Sequence, residues 1–525
     1  CFLAANNLPA ATSLIEENSR NLLNNLERRV LEHWLELLPD DIVWQRPRLL
    51  VAKAWLFYRH WRLQSLVSIL DQLEHSLTQN RTNLTTSERQ FLMGQMNALQ
   101  SATFYMQAEA PQKSMVAAEQ AVAYLPNTEQ GALGTAMAYW GLSLQAQGDE
   151  ATAVTRLQQI VDDPAPLGPA SIQLYLALSF IYWTSGNLVA LKQTSERFMA
   201  LSEKLPQATA PACWVSGIYH YELNQFVKAQ EAFEETVALH YSTNFMAACD
   251  SWLALARICQ LQREFDQAQA HLDAVRAETL RLENSDLLPV IDAVQAYQWL
   301  LQGKAAAALR WARAFDPNQS PEWTTLTFVP LLFWARILAA HGDAAEQQVV
   351  QQALKSRIEH AQARHFSRRT IQLLTHLALV QMKVGNGDQA LRSLEQALRL
   401  AQPGGFVRSF VDAGPTLKPL LEQLQRNGAA PHYLQKLIAA YSQNGQTETL
   451  LRTQSPEMTT LLTLRELEIL QLMQSGLGNA EIAQELVISP HTVKRHAANI
   501  YRKLDVKNRR QAVYKAQQVG LLRLD

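Results

Sequence analysis

A chain of 525 residues exceeds one ordinary domain and implies several domains or an elongated array. Hydrophobic residues at 48% and charged residues at 18% exclude disorder over most of the length, and 20 Gly with 20 Pro exclude collagen-like and low-complexity architectures. With 47 Lys plus Arg against 48 Asp plus Glu the formal net charge is −1, so any surface for a polyanion must be local.

The four cysteines, Cys1, Cys213, Cys249 and Cys259, have the spacing of neither a zinc site nor a disulfide framework, and a reducing compartment is the simple reading. The longest apolar stretch, around Phe328–Ala340, contains Pro330 and Arg336 and is too short and interrupted to cross a bilayer. No basic region precedes Cys1, so no signal peptide is visible; the expected location is cytoplasmic, with no membrane partner. Because the first residue is not Met, the chain reads as a fragment of a longer protein.

From the N-terminal side onward, apolar helical text is broken at regular intervals. Weak breaks occur at Trp61-Arg62 and Pro111-Gln112. Stronger ones follow at Gly148, Gly186, Asn224, Arg263, Gly303, Gly342 and Gly387, with steps of 38, 38, 39, 40, 39 and 45 residues. That period suits a helix-turn-helix repeat. Ala229, Ala268 and Ala390 follow their breaks, where a small residue lets the second helix approach the first. Within Ala390–Ala401 the apolar residues Ala390, Leu391, Leu394, Ala397, Leu398 and Ala401 keep helical spacing, and no segment alternates with period two. The expectation is an all-α solenoid over 1–445, like tetratricopeptide repeats in logic rather than consensus. Such an array is either a spacer or a concave surface for a small-molecule inducer or protein partner. Helices over roughly 416–427 and 431–444 and a polar linker at 446–458 precede a separate domain at 459–525.

Charge changes at that boundary. From Met458 to Asp525 ten basic residues face six acids, giving +4, while 37 basic and 42 acidic residues before it give −5. Thr463 and Glu466 are spaced as a capping box opening a helix that buries Leu467, Ile469, Leu470 and Met473 and stops at Ser475-Gly476. Asn479 is read as the N-cap of a short helix carrying Ile482, Ala483 and Leu486 inward. After the turn Val487-Ile488-Ser489, Ser489 caps a longer basic helix with Pro490 in its first position. Short helix, tight turn and longer basic helix make a helix-turn-helix. Val493, Ala497, Ile500 and Leu504 form its core seam. His491, Lys494, Arg495, Ala498 and Arg502 form a face for the major groove, with Lys494 and Arg495 suited to guanine edges. Thr492, His496, Asn499 and Lys503 lie between, facing phosphates.

Residues 462–522 resemble a LuxR-type DNA-binding domain. The resemblance rests on Leu462-Thr463-Leu464-Arg465-Glu466, Gly478-Asn479-Ala480-Glu481-Ile482-Ala483, Ile488-Ser489-Pro490-His491-Thr492-Val493-Lys494-Arg495-His496 and Asn499-Ile500-Tyr501-Arg502-Lys503-Leu504. Leu464 departs from the family's usual proline. The segment Gly404-Gly405-Phe406-Val407-Arg408-Ser409-Phe410-Val411-Asp412-Ala413-Gly414 resembles the junction motif of the large MalT-like LuxR regulators, with Ala413 replacing the usual acid. By residue type, Phe406 and Phe410 anchor the array's end and Arg408 pairs with Asp412, which reads as a packed connection rather than a binding site. Leu35-Glu36-Leu37-Leu38-Pro39 and Pro47-Arg48-Leu49-Leu50 resemble the start of that family's helical array. The resemblance implies a nucleotide-binding switch domain outside this chain. No G-x-x-x-x-G-K-[ST] is present, so no cofactor is expected here and ATP is implied only for the missing domain.

Catalytic motifs are lacking, the 13 histidines are scattered, and neither an enzyme nor a metal site is expected. The sequence therefore reads as a transcriptional regulator, an activator by resemblance. Its expected partners are double-stranded DNA, RNA polymerase and an inducer or protein on the array, and it is expected to act as a dimer or higher oligomer on DNA. The alternative is an interaction scaffold that the C-terminal domain tethers to DNA.

Overall fold

A computed structural model describes residues 8–24, 28–78, 84–107, 111–162, 168–241, 243–318, 327–428, 432–441, 464–486, 489–504 and 506–518. Two compact units divide at Tyr441–Ser442, and the expected linker 446–458 lies outside the described residues. Every regular element among the described residues is a helix, as the period analysis predicts.

The first unit is a run of helical hairpins. Their first helices are Pro47–Arg59, Thr86–Met106, Gln130–Ala146, Pro169–Ser185, Thr209–Glu222, Phe245–Leu261, Leu288–Leu301, Pro330–His341 and Ser367–Lys383. Each pairs with the helix that follows it, ending with Gly387–Ala401. From Thr86–Met106 onward, the first helices also pack on one another in sequence, forming a continuous row. Burial follows from that arrangement. All residues from Phe245 to Gln260 are buried, because that helix has neighbours all round. In its partner Phe265–Arg281 only Ala268, Leu272, Val275 and Thr279 are buried, one stripe at helical spacing.

Most of the breaks in the sequence are left-handed turns; Pro111 instead opens a helix, and the last turn falls at Gly385, two residues before Gly387. Trp61, Gly148, Gly186, Asn224, Arg263, Gly303 and Gly385 all have positive φ, between 58° and 91°. At each, the next N–H reaches back five residues to a carbonyl of the preceding helix, as Asp149 does to Leu144 and Glu264 to Cys259. This closes the helix end and reverses the chain. Five residues beyond the turn stand Ala153, Ala229, Ala268, Ala308 and Ala390, all fully buried, where the two helices of a hairpin cross. Gly342 departs from the pattern: its φ is −72°, and Asp343 with Glu346 makes a capping box instead.

Turns far apart in sequence are joined. Asn284 donates through Nδ2 to the carbonyl of His60 at 2.6 Å, and Asp286 Oδ2 accepts from Leu63 N at 2.7 Å and Gln64 N at 3.3 Å, capping a helix 223 residues away. Gln145 Nε2 donates to the carbonyl of His365 at 3.0 Å, a separation of 220 residues. The solenoid thus meets itself after a little over five hairpins.

The segment Phe406–Gly414 runs as a strap along the row of first helices. Phe406 and Phe410 are fully buried, and Phe406 stacks on Trp183. Val407 N donates to Glu222 O at 3.1 Å and Ser409 N to Glu222 Oε1 at 2.8 Å. Asp412 pairs with Arg408, as its spacing predicts, and also accepts from Tyr221 Oη at 2.9 Å and Arg257 Nη2 at 3.1 Å. Burial pushes the Asp412 carboxyl up, yet the Arg408 and Arg257 guanidiniums outweigh it and hold the group down to about 2. Burial pushes Glu222 up to about 7, against the pull of Arg368 and the Ser409 N–H, and drives His376 down to about 4.

Candidate nucleic-acid interface

The second unit is built around the helix Pro490–Lys503, which packs against Leu464–Gln474, Asn479–Glu485 and Arg509–Gln518. Its core comprises Ile469, Leu470, Met473, Ile482, Ala483, Val493, Ala497, Ile500, Leu504, Ala512 and Ala516. The predicted seam Val493–Ala497–Ile500–Leu504 is buried throughout. The side chain of Leu467, also read as inward, lies outside the described residues.

The helix starts are as local as the sequence indicates, with one change. Ser489 Oγ accepts from Thr492 N at 3.1 Å, and Pro490 occupies the first helical position. The N-cap of the short helix is Gly478 rather than Asn479. The Gly478 N–H donates to Glu481 Oε2 at 2.6 Å, and Asn479 is the first residue within the helix. Glu481 thus satisfies the Gly478 N–H from inside the helix, the half of a capping box that needs no side chain at the N-cap. The expected Thr463–Glu466 box involves Thr463, which lies outside the described residues; Glu466 is buried and accepts from Lys503 Nζ.

Lys494, Arg495, Ala498 and Arg502 are all exposed and share the side of the helix opposite the core seam. The side chain of His491 is outside the described residues. Three cations around one alanine make a face that an acidic groove can accept, with Ala498 leaving room for close approach. Arg502 Nη2 donates to Asn499 Oδ1 at 3.2 Å across one turn.

The flank assigned to phosphates is less open than expected. His496 is 8% exposed and belongs to the buried side. At ~100° per residue it stands about 60° from Val493 and, four residues before Ile500, at the edge of the same stripe. Thr492 is half-buried, its hydroxyl 2.8 Å from Ser489 Oγ. Lys503 Nζ lies 2.7 Å from Glu466 Oε2, with that carboxylate side chain 3% exposed. Sequence reasoning missed this pair, which joins residues 37 positions apart, and it missed Arg509, whose Nη2 donates to Met473 O at 2.8 Å and closes the first helix of the domain. By sequence Lys503 reads as a phosphate contact and Arg509 only as charge, and nothing local marks a lysine that reaches a buried acid.

Residues 94–427 match the model of the MalT-like TPR region, and residues 460–516 match that of the bacterial regulatory proteins of the luxR family. This chain belongs to the MalT-like family. The HTH-type transcriptional regulator MalT of Cronobacter sakazakii (strain ATCC BAA-894) is 26% identical over 98% of this chain and 59% of its own length. The MalT proteins of Serratia proteamaculans (strain 568) and Yersinia pestis (strain Pestoides F) are 26% and 25% identical with the same coverage. The chain therefore spans about three fifths of the length of the curated relatives it matches. Among solved structures, the APC/C hetero-tetramer Cut9-Hcn1 aligns with 80% of this MalT-like chain and 86% of its own at 13% identity and a TM-score of 0.37.

No helix among the described residues is long and apolar enough to cross a membrane. Cys213, Cys249 and Cys259 are buried and form no disulfide, and burial pushes the Cys213 thiol up to about 12.

Proposed function

We propose that this MalT-like chain is a transcriptional regulator that binds double-stranded DNA sequence-specifically, with the helix Pro490–Lys503 in the major groove. The observation that carries the reading is the division of that helix: a fully buried seam on one side and Lys494, Arg495, Ala498 and Arg502 exposed on the other, in a domain of the luxR family. Lys494 and Arg495 read base edges, while Asn499 and Arg502 position the helix on the backbone. The array senses an inducer or protein partner, and the activator engages RNA polymerase. The helix Arg509–Gln518 presents Tyr514, 61% exposed, on the side away from Ala512 and Ala516, and two such helices pair copies of the domain on DNA.

Selection of binding sites from random duplex DNA by the full chain tests the reading. It should enrich a motif with two-fold symmetry and half-sites about one helical turn apart. Recovery of sequences no different from the starting pool would refute specific binding, and enrichment of a lone half-site would refute the paired arrangement.

A further inference from the structure

The strap fills the row of first helices toward its C-terminal end. The other end is open. There a cavity of about 440 Å³ is enclosed by Leu8–Asn24, Pro47–Arg59, Thr86–Met106 and the start of Gln130–Ala146. This volume suits a small organic ligand. Trp55 and Phe91 supply aromatic wall, with Val51, Leu92 and Ala132 beside them.

The charged groups on that wall are not equivalent. Glu16 is paired with Arg46 at 3.2 Å, and Glu88 is paired with Arg48 and caps its own helix at Thr85. Glu129 accepts from Gln95 Nε2 at 2.9 Å, and Gln95 in turn accepts from Trp55 Nε1 at 2.8 Å, a relay that fixes the indole. Glu17 also reaches the wall, as an exposed carboxylate at the solvent side, and among the described residues Arg59 is the cation there without a carboxylate partner. It lines the cavity and the adjoining cleft toward Pro169 and Trp214, yet among the described residues no hydrogen-bond acceptor or carboxylate is set against its guanidinium. Burial lowers its pKa, with the Tyr58 hydroxyl as the one opposing influence. Arg59 is half-buried at the cavity edge, so an oxyanion seated there would meet a partly desolvated guanidinium, where a charge-assisted hydrogen bond is stronger than in bulk water.

We infer that this cavity binds a small organic anion, a carboxylate or phosphate monoester, with its charged end on Arg59 and its apolar body on Trp55 and Phe91. A guanidinium takes either oxyanion through two parallel N–H donors, so the two chemistries share one site. The far wall, with Gln95 and Glu129, suits a hydroxyl donor on the distal end of the ligand. This rests on the reading of the array as a sensor and assigns it a ligand class.

The test is thermal unfolding of the full chain with three probes: 4-hydroxyphenylacetate, phenyl phosphate and the neutral 4-hydroxyphenylethanol. A ligand that binds the folded state raises the melting temperature with concentration. At least one anion should stabilise the wild type more than the neutral alcohol, and the better of the two identifies carboxylate or phosphate. In Arg59→Met, which keeps the apolar stem and removes an unpaired charge, the protein should remain folded and the preference for the anion should vanish. If anion and alcohol stabilise the wild type equally, the cavity binds small molecules but the anion assignment is wrong. Equal anion response in Arg59→Met overturns the site. If no probe shifts either protein, both the anion site and small-molecule sensing at this cavity fail, whereas sensing of a protein partner is untouched.

Discussion

Lys503 illustrates how one side chain changes the meaning of a surface. Its position in the helix matches a phosphate contact, but its ammonium is held by Glu466, a carboxylate with almost no access to water. Lys503→Ala removes a charged donor from a buried carboxylate, and the C-terminal unit should lose about 1–3 kcal/mol in chemical denaturation. Lys503→Met with Glu466→Gln should recover most of the loss. Arg495→Ala lies on the exposed face and should leave the melting curve in place. It should weaken binding to the preferred site by about 1–3 kcal/mol and flatten discrimination between sequences. Uniform loss over all sequences in Arg495→Ala would move the base-reading role elsewhere. His496 was hard to place because a histidine at the edge of an apolar stripe reads as polar surface; only the three- and four-residue steps to Val493 and Ile500 mark it as buried.

Residues beneath the strap oppose one another in their response to acid. Glu222, raised from 4.5 to about 7, holds its proton more tightly in the folded state. Its contribution is full below pH 4.5 and is lost as pH rises through 7. His376, lowered from 6.5 to about 4, does the reverse: its contribution is full above pH 6.5 and is lost as pH falls through 4. Over the window they share, the two slopes oppose and these two contributions cancel. Glu222→Gln should expose a stability that rises with pH from 4 to 6.5, measured by urea unfolding across that range. A falling or unchanged slope in this variant would show that the histidine is not the opposing group.

At the scale of the element, the turn and the alanine five residues after it make the hairpin legible. A residue able to take positive φ followed by a small residue at fixed distance is local information, and it recurs at a nearly constant step. Gly303 isolates the backbone part of this device, because an added Cβ there meets nothing within 4 Å. Gly303→Ala should cost about 1 kcal/mol, from the left-handed conformation alone. At Gly148 the same methyl would also lie 2.7 Å from His365 Nε2, so Gly148→Ala should cost more, as compared by denaturant midpoints of the two variants. Equal effects would mean that the His365 ring swings aside freely. The strap was legible only within itself: the four-residue spacing of Arg408 and Asp412 points to a pair, whereas Tyr221 and Arg257 lie 191 and 155 residues from Asp412 and carry no sign of that meeting.

At the scale of the whole molecule, what the sequence leaves unsaid is where the array meets itself. Stacked repeats ordinarily contact only their neighbours, so hairpins can be gained or lost with small effect on the rest. Here Asn284 and Asp286 must face His60 and Leu63, and Gln145 must face His365. Excising one hairpin between these points would move each contact out of register by a full repeat. The helix beginning at Leu63 would lose its Asp286 cap, and Asn284 would be left among buried groups without its carbonyls. The number of hairpins between the paired turns is therefore fixed by geometry. Across the family, length variation should be confined to stretches not enclosed by such a pair, and a duplication within an enclosed stretch should persist only where the matching turns have changed with it.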